Sequence, residues 1–290
     1  MAFHSVEALK RAAGEFLLWQ AVQADDCRDS GSPEEDFWKK MSSLWAAMKE
    51  TQQAYDPDSR SRSGLAGGDG ARLEGPGVGL CDLFLRQIIS AALKGGECNA
   101  CMKRIVAAPT AGASGVLPAV LIPLQKRDRL SDEVMIQALY VAAGFGQVIA
   151  QRASISGAEG GCQAEVGSAS AMAAAALVHL KGGTAGQMAN ACALALANTL
   201  GLVCDPVGGL VEVPCVTRNV MGAVNALSCA EMALSGVESR IPCDEVIDAM
   251  GAVGAALPSS LRETGQGGLA ATPTGRRFAE RVVTESEGET

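Results

Sequence analysis

The sequence predicts a mainly α protein, a single all-helical domain with glycine-rich loops, and three observations support that prediction. Apolar residues recur at helical spacing, alternating strand patterns are few, and no fixed-period repeat occurs. The 290 residues include 49 Ala and 34 Gly but only 11 Phe, Trp and Tyr. A core with so few rings and so many small side chains must bring its backbones close together, which favours tightly packed helices.

Composition and charge exclude several classes of protein. Hydrophobic residues make up 48% of the chain and charged residues 19%, which excludes a disordered chain. The chain has 24 Lys and Arg against 32 Asp and Glu, a net charge of −8. Because no basic stripe is present to displace counterions from phosphates, we expect no nucleic-acid partner.

Residues 1–55 predict a pair of helices. The first spans Ser5–Gln23, and the second follows Pro33, where three acidic residues suit the positive end of a helix. The apolar face of the second helix consists of Phe37, Met41, Leu44, Trp45 and Met48. Residues 56–79 are rich in Gly, Ser and Pro, so they predict either a flexible linker or a structured active-site loop.

Residues 80–275 form the predicted helical core, and residues 276–290 the tail. Caps mark the helices, such as Ser131 before an acidic first turn and Thr184 with the spacing of a capping box. The predicted helices are Leu80–Leu93, Gly115–Leu124, Ser131–Ala150, Ser168–Leu180, one from Thr184 that stops at Gly201, Thr217–Ser235 and Asp244–Ala256.

Two uncharged runs, Ile105–Gln125 and Gly182–Cys204, approach the length of a membrane span. The first contains three prolines and the second four glycines and several amides, so both predict buried core and no membrane. The first ten residues lack the pattern of a signal peptide, and we therefore expect a cytoplasmic protein.

Three junctions between a glycine-rich loop and a helix are candidates for chemistry. The first, over residues 104–118, interleaves Thr110, Gly112 and Ser114, which suits a nest of backbone N–H groups for a carboxylate or phosphate. The second contains Cys162 and the third Cys204 and Cys215, all among glycines or prolines. Cysteines held on rigid loops have the access and fixed direction that metal ligation requires.

Three thiols without an accompanying histidine indicate soft-metal chemistry, either an iron–sulfur cluster or zinc. The ten cysteines do not predict a disulfide framework, because the cytosol keeps thiols reduced. Cys98 and Cys101 form a competing C-x-x-C that fits a redox pair or half a zinc site, but no second such motif follows. Cys192 and Cys229 lie in alanine-rich helical runs and are predicted to pack in the core.

These segments resemble the signature stretches of the alpha subunit of iron–sulfur-dependent L-serine dehydratases, and the resemblance covers essentially the whole chain. It implies an all-helical catalytic domain in which Cys162, Cys204 and Cys215 ligate a [4Fe–4S] cluster, with the fourth iron left for substrate. It also implies a separate beta-type subunit, an oligomer, and no pyridoxal phosphate. The matching runs are Ser63–Asp69, Glu97–Pro118, Ser156–Gly167, Gly201–Asn219 and Glu263–Ala270.

Two features depart from the family pattern. The last cysteine is Cys243, whereas some single-chain relatives end in a cysteine that folds back onto the cluster, so the two-subunit type is expected. Lys103 replaces a usual glycine, and Cys98 and Cys101 replace other small residues, which argues that these two cysteines are not ligands.

The expected activity is dehydration and deamination of L-serine to pyruvate and ammonia, with L-serine as substrate and the open iron as Lewis acid on the C3 hydroxyl. The alternatives are a sibling lyase for L-cysteine or L-threonine, a thiolate zinc protein, and a non-catalytic helical subunit. The nest and Arg218 are candidates for the substrate carboxylate. Glu165 and Asp205 are candidates for the ammonium or for proton transfer, or else for stabilising their loops. Asp69 and Asn99 are further candidates for substrate binding.

Overall fold

The computed structural model describes residues 3–14 and 18–287, with side chains through residue 282. Within these residues the secondary structure is helical, and the only β-type pairing is an isolated bridge between Cys204 and Arg262. The predicted all-helical class is therefore confirmed. The helices are α1 (Val6–Ala13), α2 (Leu18–Ser30), α3 (Glu34–Gln53), α4 (Asp69–Arg72), α5 (Leu83–Ala100), α6 (Val116–Asp128), α7 (Asp132–Arg152), α8 (Gly157–Gly160), α9 (Ser168–Leu180), α10 (Ala185–Ala197), α11 (Cys215–Leu234), α12 (Cys243–Ala256) and α13 (Pro273–Glu287).

The N-terminal region differs from the predicted helix pair. The predicted helix Ser5–Gln23 is wrong, because α1 ends before Gly14, whose φ of 63° is left-handed and terminates the helix. Residues 15–17 of that prediction lie outside the described residues, and α2 begins at Leu18. Helix α3 follows Pro33 as predicted, although Leu44 is exposed and not part of its buried face.

The core confirms the close packing that the small residues predict. Every residue of α9 from Ser168 to Val178 is buried, and helices α7, α10 and α11 pack around it. An added Cβ at Gly146 would lie 2.8 Å from Met172 Sδ, and one at Gly222 would lie 2.7 Å from Val166 Cγ1. Larger side chains at these positions would push the helices apart.

The helical parts of the two uncharged runs lie largely in this core, whereas the loops at their ends are partly exposed. Residues Val116–Leu124 of α6 are all buried, as are most of α10. Among the described residues one helix, α7, is long and apolar enough to cross a membrane by length and composition, and 67% of its most apolar window is buried inside the protein.

The chain beyond the core is also ordered into elements that the sequence did not predict. Residues 276–290 were predicted as a tail, yet α13 begins at Pro273 and extends to Glu287. Thr272 precedes its first turn and accepts a hydrogen bond from Gly275 N (3.1 Å), and Pro273 occupies the first helical position, where its missing N–H costs nothing. Helix α13 packs on the turn at Val207–Gly209 and thus lies beside the loop that carries Cys204.

Candidate active site

A backbone hydrogen bond joins the segments that carry Cys162 and Cys204. Cys162 precedes a wide π-helical turn over Gln163–Gly167, and Gln163 N donates to Leu202 O (3.0 Å), two residues before Cys204. Cys204 is held on its other side, since its N–H donates to Leu261 O (2.9 Å) and its carbonyl accepts from Glu263 N (2.8 Å). Cys215 was expected on a loop but is the first residue of α11.

The thiols of these three cysteines are free and shielded from water. Cys162 and Cys204 are buried, with 3% and 4% exposure, and Cys215 is partly buried. Burial raises the pKa of Cys162 to about 11 and that of Cys215 to about 12, and it raises the pKa of Cys204 as well. The thiols therefore stay protonated on their own, whereas a bound metal would displace their protons.

The donor set suits a soft metal centre. In the described part of the chain, no three His, Cys, Asp or Glu side chains converge closely enough to share one metal ion. The thiol ligands of a cubane cluster each bind a different iron and need not converge on one point. Arg218 adds a positive charge close to Cys162, where it opposes the effect of burial on the pKa of that thiol.

Glu165 occupies the space between two of the predicted junctions. Its carboxylate, partly buried, has Oε2 3.9 Å from Cys204 Sγ. The backbones of Gly112 and Gly157 approach it, because an added Cβ would lie 3.4 Å from Oε1 at Gly112 and 2.6 Å from Oε2 at Gly157. Burial raises the pKa of Glu165, and the neighbouring Thr110 hydroxyl partly offsets that rise.

The predicted nest keeps only part of its donors. Ala113 N and Ser114 N donate within the turn, to Thr110 O (3.3 Å) and Ala111 O (3.2 Å), and Gly115 N donates to Asn219 Oδ1 (2.9 Å). The hydroxyl of Ser114 is buried and has no hydrogen-bond partner among the described residues. The Thr110 hydroxyl, which lies beside Glu165, is likewise buried without a partner among these residues, so both hydroxyls of this turn remain available to a ligand.

Asp205 and Arg218 bind each other. Arg218 Nη2 lies 2.8 Å from Asp205 Oδ1, and its Nη1 donates to Val203 O (2.8 Å). The second carboxylate oxygen of Asp205 accepts from Leu269 N (2.7 Å), and Gly268, with φ of 57°, packs directly against this carboxylate. These contacts favour the loop-stabilising interpretation of Asp205, and they occupy both terminal nitrogens of Arg218.

Asp69 begins the short helix α4 within the glycine-rich segment over residues 56–79, and Asn99 lies near the end of α5, on which α4 packs. The Asp69 side chain is exposed and pairs with Arg72 (3.1 Å), while Asn99 lies in the last turn of α5. No contact found among the described residues joins either side chain to the three thiols. Cys98 is buried and donates to Thr51 O (3.6 Å), so it lies apart from them too.

Two buried carboxylates that sequence reasoning missed order the segment over residues 56–79. Glu97 accepts from Tyr55 Oη (2.5 Å), Asp69 N (2.8 Å) and Gly70 N (3.2 Å). Glu212, three residues before Cys215, accepts from the hydroxyls of Ser61 (2.7 Å) and Ser63. The segment is thus a structured loop attached to the site. For Glu212 the available signal was a lone acidic residue within the otherwise apolar run 208–216, and for Glu97 it was a lone acidic residue beside two glycines.

Comparison with known proteins identifies the family. The model of the serine dehydratase alpha chain family matches residues 13–270. The chain belongs to this family. It is 48% identical to the probable L-serine dehydratase alpha chain of Bacillus subtilis over 271 residues, which cover 92% of this chain and 90% of that protein.

Other members of the serine dehydratase alpha chain family show how far the similarity extends. The L-serine dehydratase alpha chain of Peptoniphilus asaccharolyticus is 40% identical, with 93% of this chain and 94% of that protein covered. The L-serine dehydratase TdcG of Escherichia coli is 45% identical over 181 residues, which cover 62% of this chain but only 40% of that larger protein. The chain therefore matches the alpha chains over nearly their whole length.

Proposed function

We propose that this alpha chain is the catalytic subunit of a lyase that converts L-serine to pyruvate and ammonia. We further propose that Cys162, Cys204 and Cys215 hold a [4Fe–4S] cluster. The observation that carries the proposal is the proximity of these three thiols, two buried and one partly buried, to the Glu165 carboxylate, which in turn lies against the turn at Thr110–Gly115. The family and the names of its members support the same substrate.

The reaction needs a weakly acidic Cα proton to be removed and a poor leaving group, hydroxide, to depart from C3. When bound, a cluster with one iron not ligated by protein supplies a Lewis acid for the leaving group. The residues of the chain bind and orient the amino acid. The Ser114 hydroxyl and the free donors of the Thr110–Gly115 turn take the carboxylate, and Glu165 accepts the Cα proton.

Asp205 and Arg218 support this arrangement without contacting substrate. Their ion pair ties the Cys204 loop to the first turn of α11 and, through Leu269, to the segment that follows α12. The released aminoacrylate tautomerises and hydrolyses to pyruvate and ammonia in water, which requires no further group from the protein and no pyridoxal phosphate.

A separate beta-type chain completes the proposed enzyme. The relatives covered over most of their length are named alpha chains, and the larger relatives extend well beyond the region that this chain matches. We propose that the complex is cytoplasmic and oligomeric and contacts neither nucleic acid nor membrane.

The test is to purify the chain without oxygen, alone and in complex with a beta-type chain, and to assay iron, acid-labile sulfide and product formation. We expect iron and sulfide in equal amounts, and pyruvate from L-serine at a higher kcat/KM than product from L-threonine or L-cysteine. Zinc in place of iron would identify a thiolate zinc protein. A higher kcat/KM for L-cysteine would indicate a desulfidase. If none of the three amino acids gave a product, the chain would be a non-catalytic subunit.

Gly157→Ala tests whether the space around Glu165 is used in the reaction. The added Cβ would lie 2.6 Å from Glu165 Oε2 and 3.0 Å from Cys204 Sγ, so the carboxylate must shift. We expect activity to fall on the order of 10²-fold, as for a misplaced catalytic group. The control is Gly186→Ala on the exposed start of α10, where the nearest atom, Thr184 Oγ1, lies 3.6 Å from the added Cβ. Equal activity of the two variants would contradict the role of Glu165.

A further inference from the structure

Asn219 bridges two parts of the site that are more than 100 residues apart in sequence. It lies on α11 one turn after Cys215 and is buried, with 1% exposure. Its Nδ2 donates to Cys215 O (2.9 Å) and to Gly112 O (2.8 Å), and its Oδ1 accepts from Gly115 N (2.9 Å). One amide thus satisfies both ends of the Gly112–Gly115 turn and the first residue of α11.

The orientation of this amide follows from its partners. Gly115 N can only donate, and the two carbonyl oxygens can only accept, so oxygen and nitrogen of Asn219 cannot exchange places. No other side chain of this length carries both an NH₂ group with two donor hydrogens and a carbonyl oxygen that accepts. An aspartate at position 219 would set a carboxylate against two carbonyl oxygens, and an alanine would remove the side-chain partner of the buried Gly115 N and of Gly112 O.

The turn packs closely between α5 and Asn219. An added Cβ at Gly115 would lie 2.9 Å from Asn219 Oδ1 and 2.7 Å from Ala92 O. An added Cβ at Gly95 would lie 2.6 Å from Gly115 Cα, and one at Gly96 would lie 3.5 Å from Asn219 Nδ2. The glycines of α5 therefore let the turn approach closely, and Asn219 holds it from the opposite side.

We infer that Asn219 is a positioning residue, which fixes the carboxylate-binding turn in register with Cys215. The inference rests on the proposed function, since that function assigns the turn to the substrate carboxylate and Cys215 to the cluster. Asn219 contacts the backbone of the turn and of Cys215, but it is not itself assigned to the substrate carboxylate or to the cluster. It acts by keeping the Ser114 hydroxyl at a constant distance from the thiol ligands, so that an amino acid bound by its carboxylate presents C3 in one place.

The experiment compares Asn219→Ala and the isosteric Asn219→Asp with Asn225→Ala in the anaerobically purified complex. Asn225 lies on the same helix and also donates twice, to Ser170 Oγ (2.9 Å) and Ala195 O (3.0 Å), but it does not contact the turn. The measurements are iron and sulfide per chain, KM and kcat for L-serine, the Kd of the unreactive L-alanine by calorimetry, and the unfolding temperature.

We expect both Asn219 variants to retain iron and sulfide and to raise the KM for L-serine and the Kd for L-alanine about tenfold or more. Asn225→Ala should lower the unfolding temperature with both constants unchanged. Unchanged KM and Kd in the Asn219 variants, or equal increases in Asn225→Ala, would overturn the inference. If Asn219→Ala fails to fold, the KM and Kd of Asn219→Asp alone test the inference. A wild-type complex that forms no pyruvate from L-serine would instead overturn the proposed function.

Discussion

Replacement of Cys162, Cys204 or Cys215 by serine is expected to reduce iron, sulfide and pyruvate formation to the background of the assays. Each thiol lies on a different segment, so no neighbouring cysteine can take over its position. A serine hydroxyl is a hard, poorly acidic donor and does not replace a thiolate at iron–sulfur centres. The variants are purified without oxygen and assayed for iron, acid-labile sulfide and the rate of pyruvate formation from L-serine.

Cys192→Ser and Cys229→Ser are the matched controls for this prediction. Both thiols are fully buried, in α10 and α11, within the helical core. The cost of a buried hydroxyl in place of a thiol should appear as about 1–2 kcal/mol of unfolding free energy, with iron content and activity retained. Equal iron and sulfide content in all five variants would refute the assignment of the ligands.

Most helices could be predicted because their signals are local. Helix α9 spans the predicted Ser168–Leu180, and α10 opens with the capping box that Thr184 and Gln187 predicted. The helix predictions fail where an apolar pattern continues past the residue that ends a helix, or where a helix is so polar that its sequence resembles a loop. Gly14 interrupts an apolar periodicity that otherwise runs on, and the polar composition of α13 resembles a tail.

The sequence could predict those residues of the site whose chemistry is visible within one short segment. Thiols in glycine-rich segments can be recognised from sequence, although Cys215 is the first residue of α11 and not part of a loop. Hydrogen bonds from Gln163 N to Leu202 O and from Arg218 Nη1 to Val203 O join the three segments. The residues that hold these segments in place cannot be recognised from sequence, because their hydrogen bonds join distant parts of the chain. Glu212 accepts from Ser61, 151 residues away, and Asn219 accepts from Gly115, 104 residues away. For the same reason the sequence could not separate a chemical role of Asp205 from its ion pair with Arg218.

Glu159→Gln provides the control for the second large effect that we expect, at Glu165. Glu159 belongs to the same motif and is also a carboxylate, but it is exposed and accepts a hydrogen bond from Ser154 Oγ (2.6 Å). Its replacement should leave kcat, KM and iron content close to those of the wild type. It therefore accounts for any general effect of removing a negative charge from this segment.

Glu165→Gln is expected to lower kcat for L-serine by about 10²- to 10⁴-fold, the usual contribution of a positioned base, with iron and sulfide per chain unchanged. The carboxylate is partly buried between Gly112, Gly157 and Cys204, and burial raises its pKa towards the range in which a base works well at neutral pH. Steady-state kinetics with L-serine separate the roles that a carboxylate can take at this place. A rise in KM with kcat unchanged would mean that Glu165 binds the ammonium group and that another residue takes the Cα proton. A variant with wild-type kcat and KM but a lower unfolding temperature would reduce Glu165 to a residue that stabilises its loop.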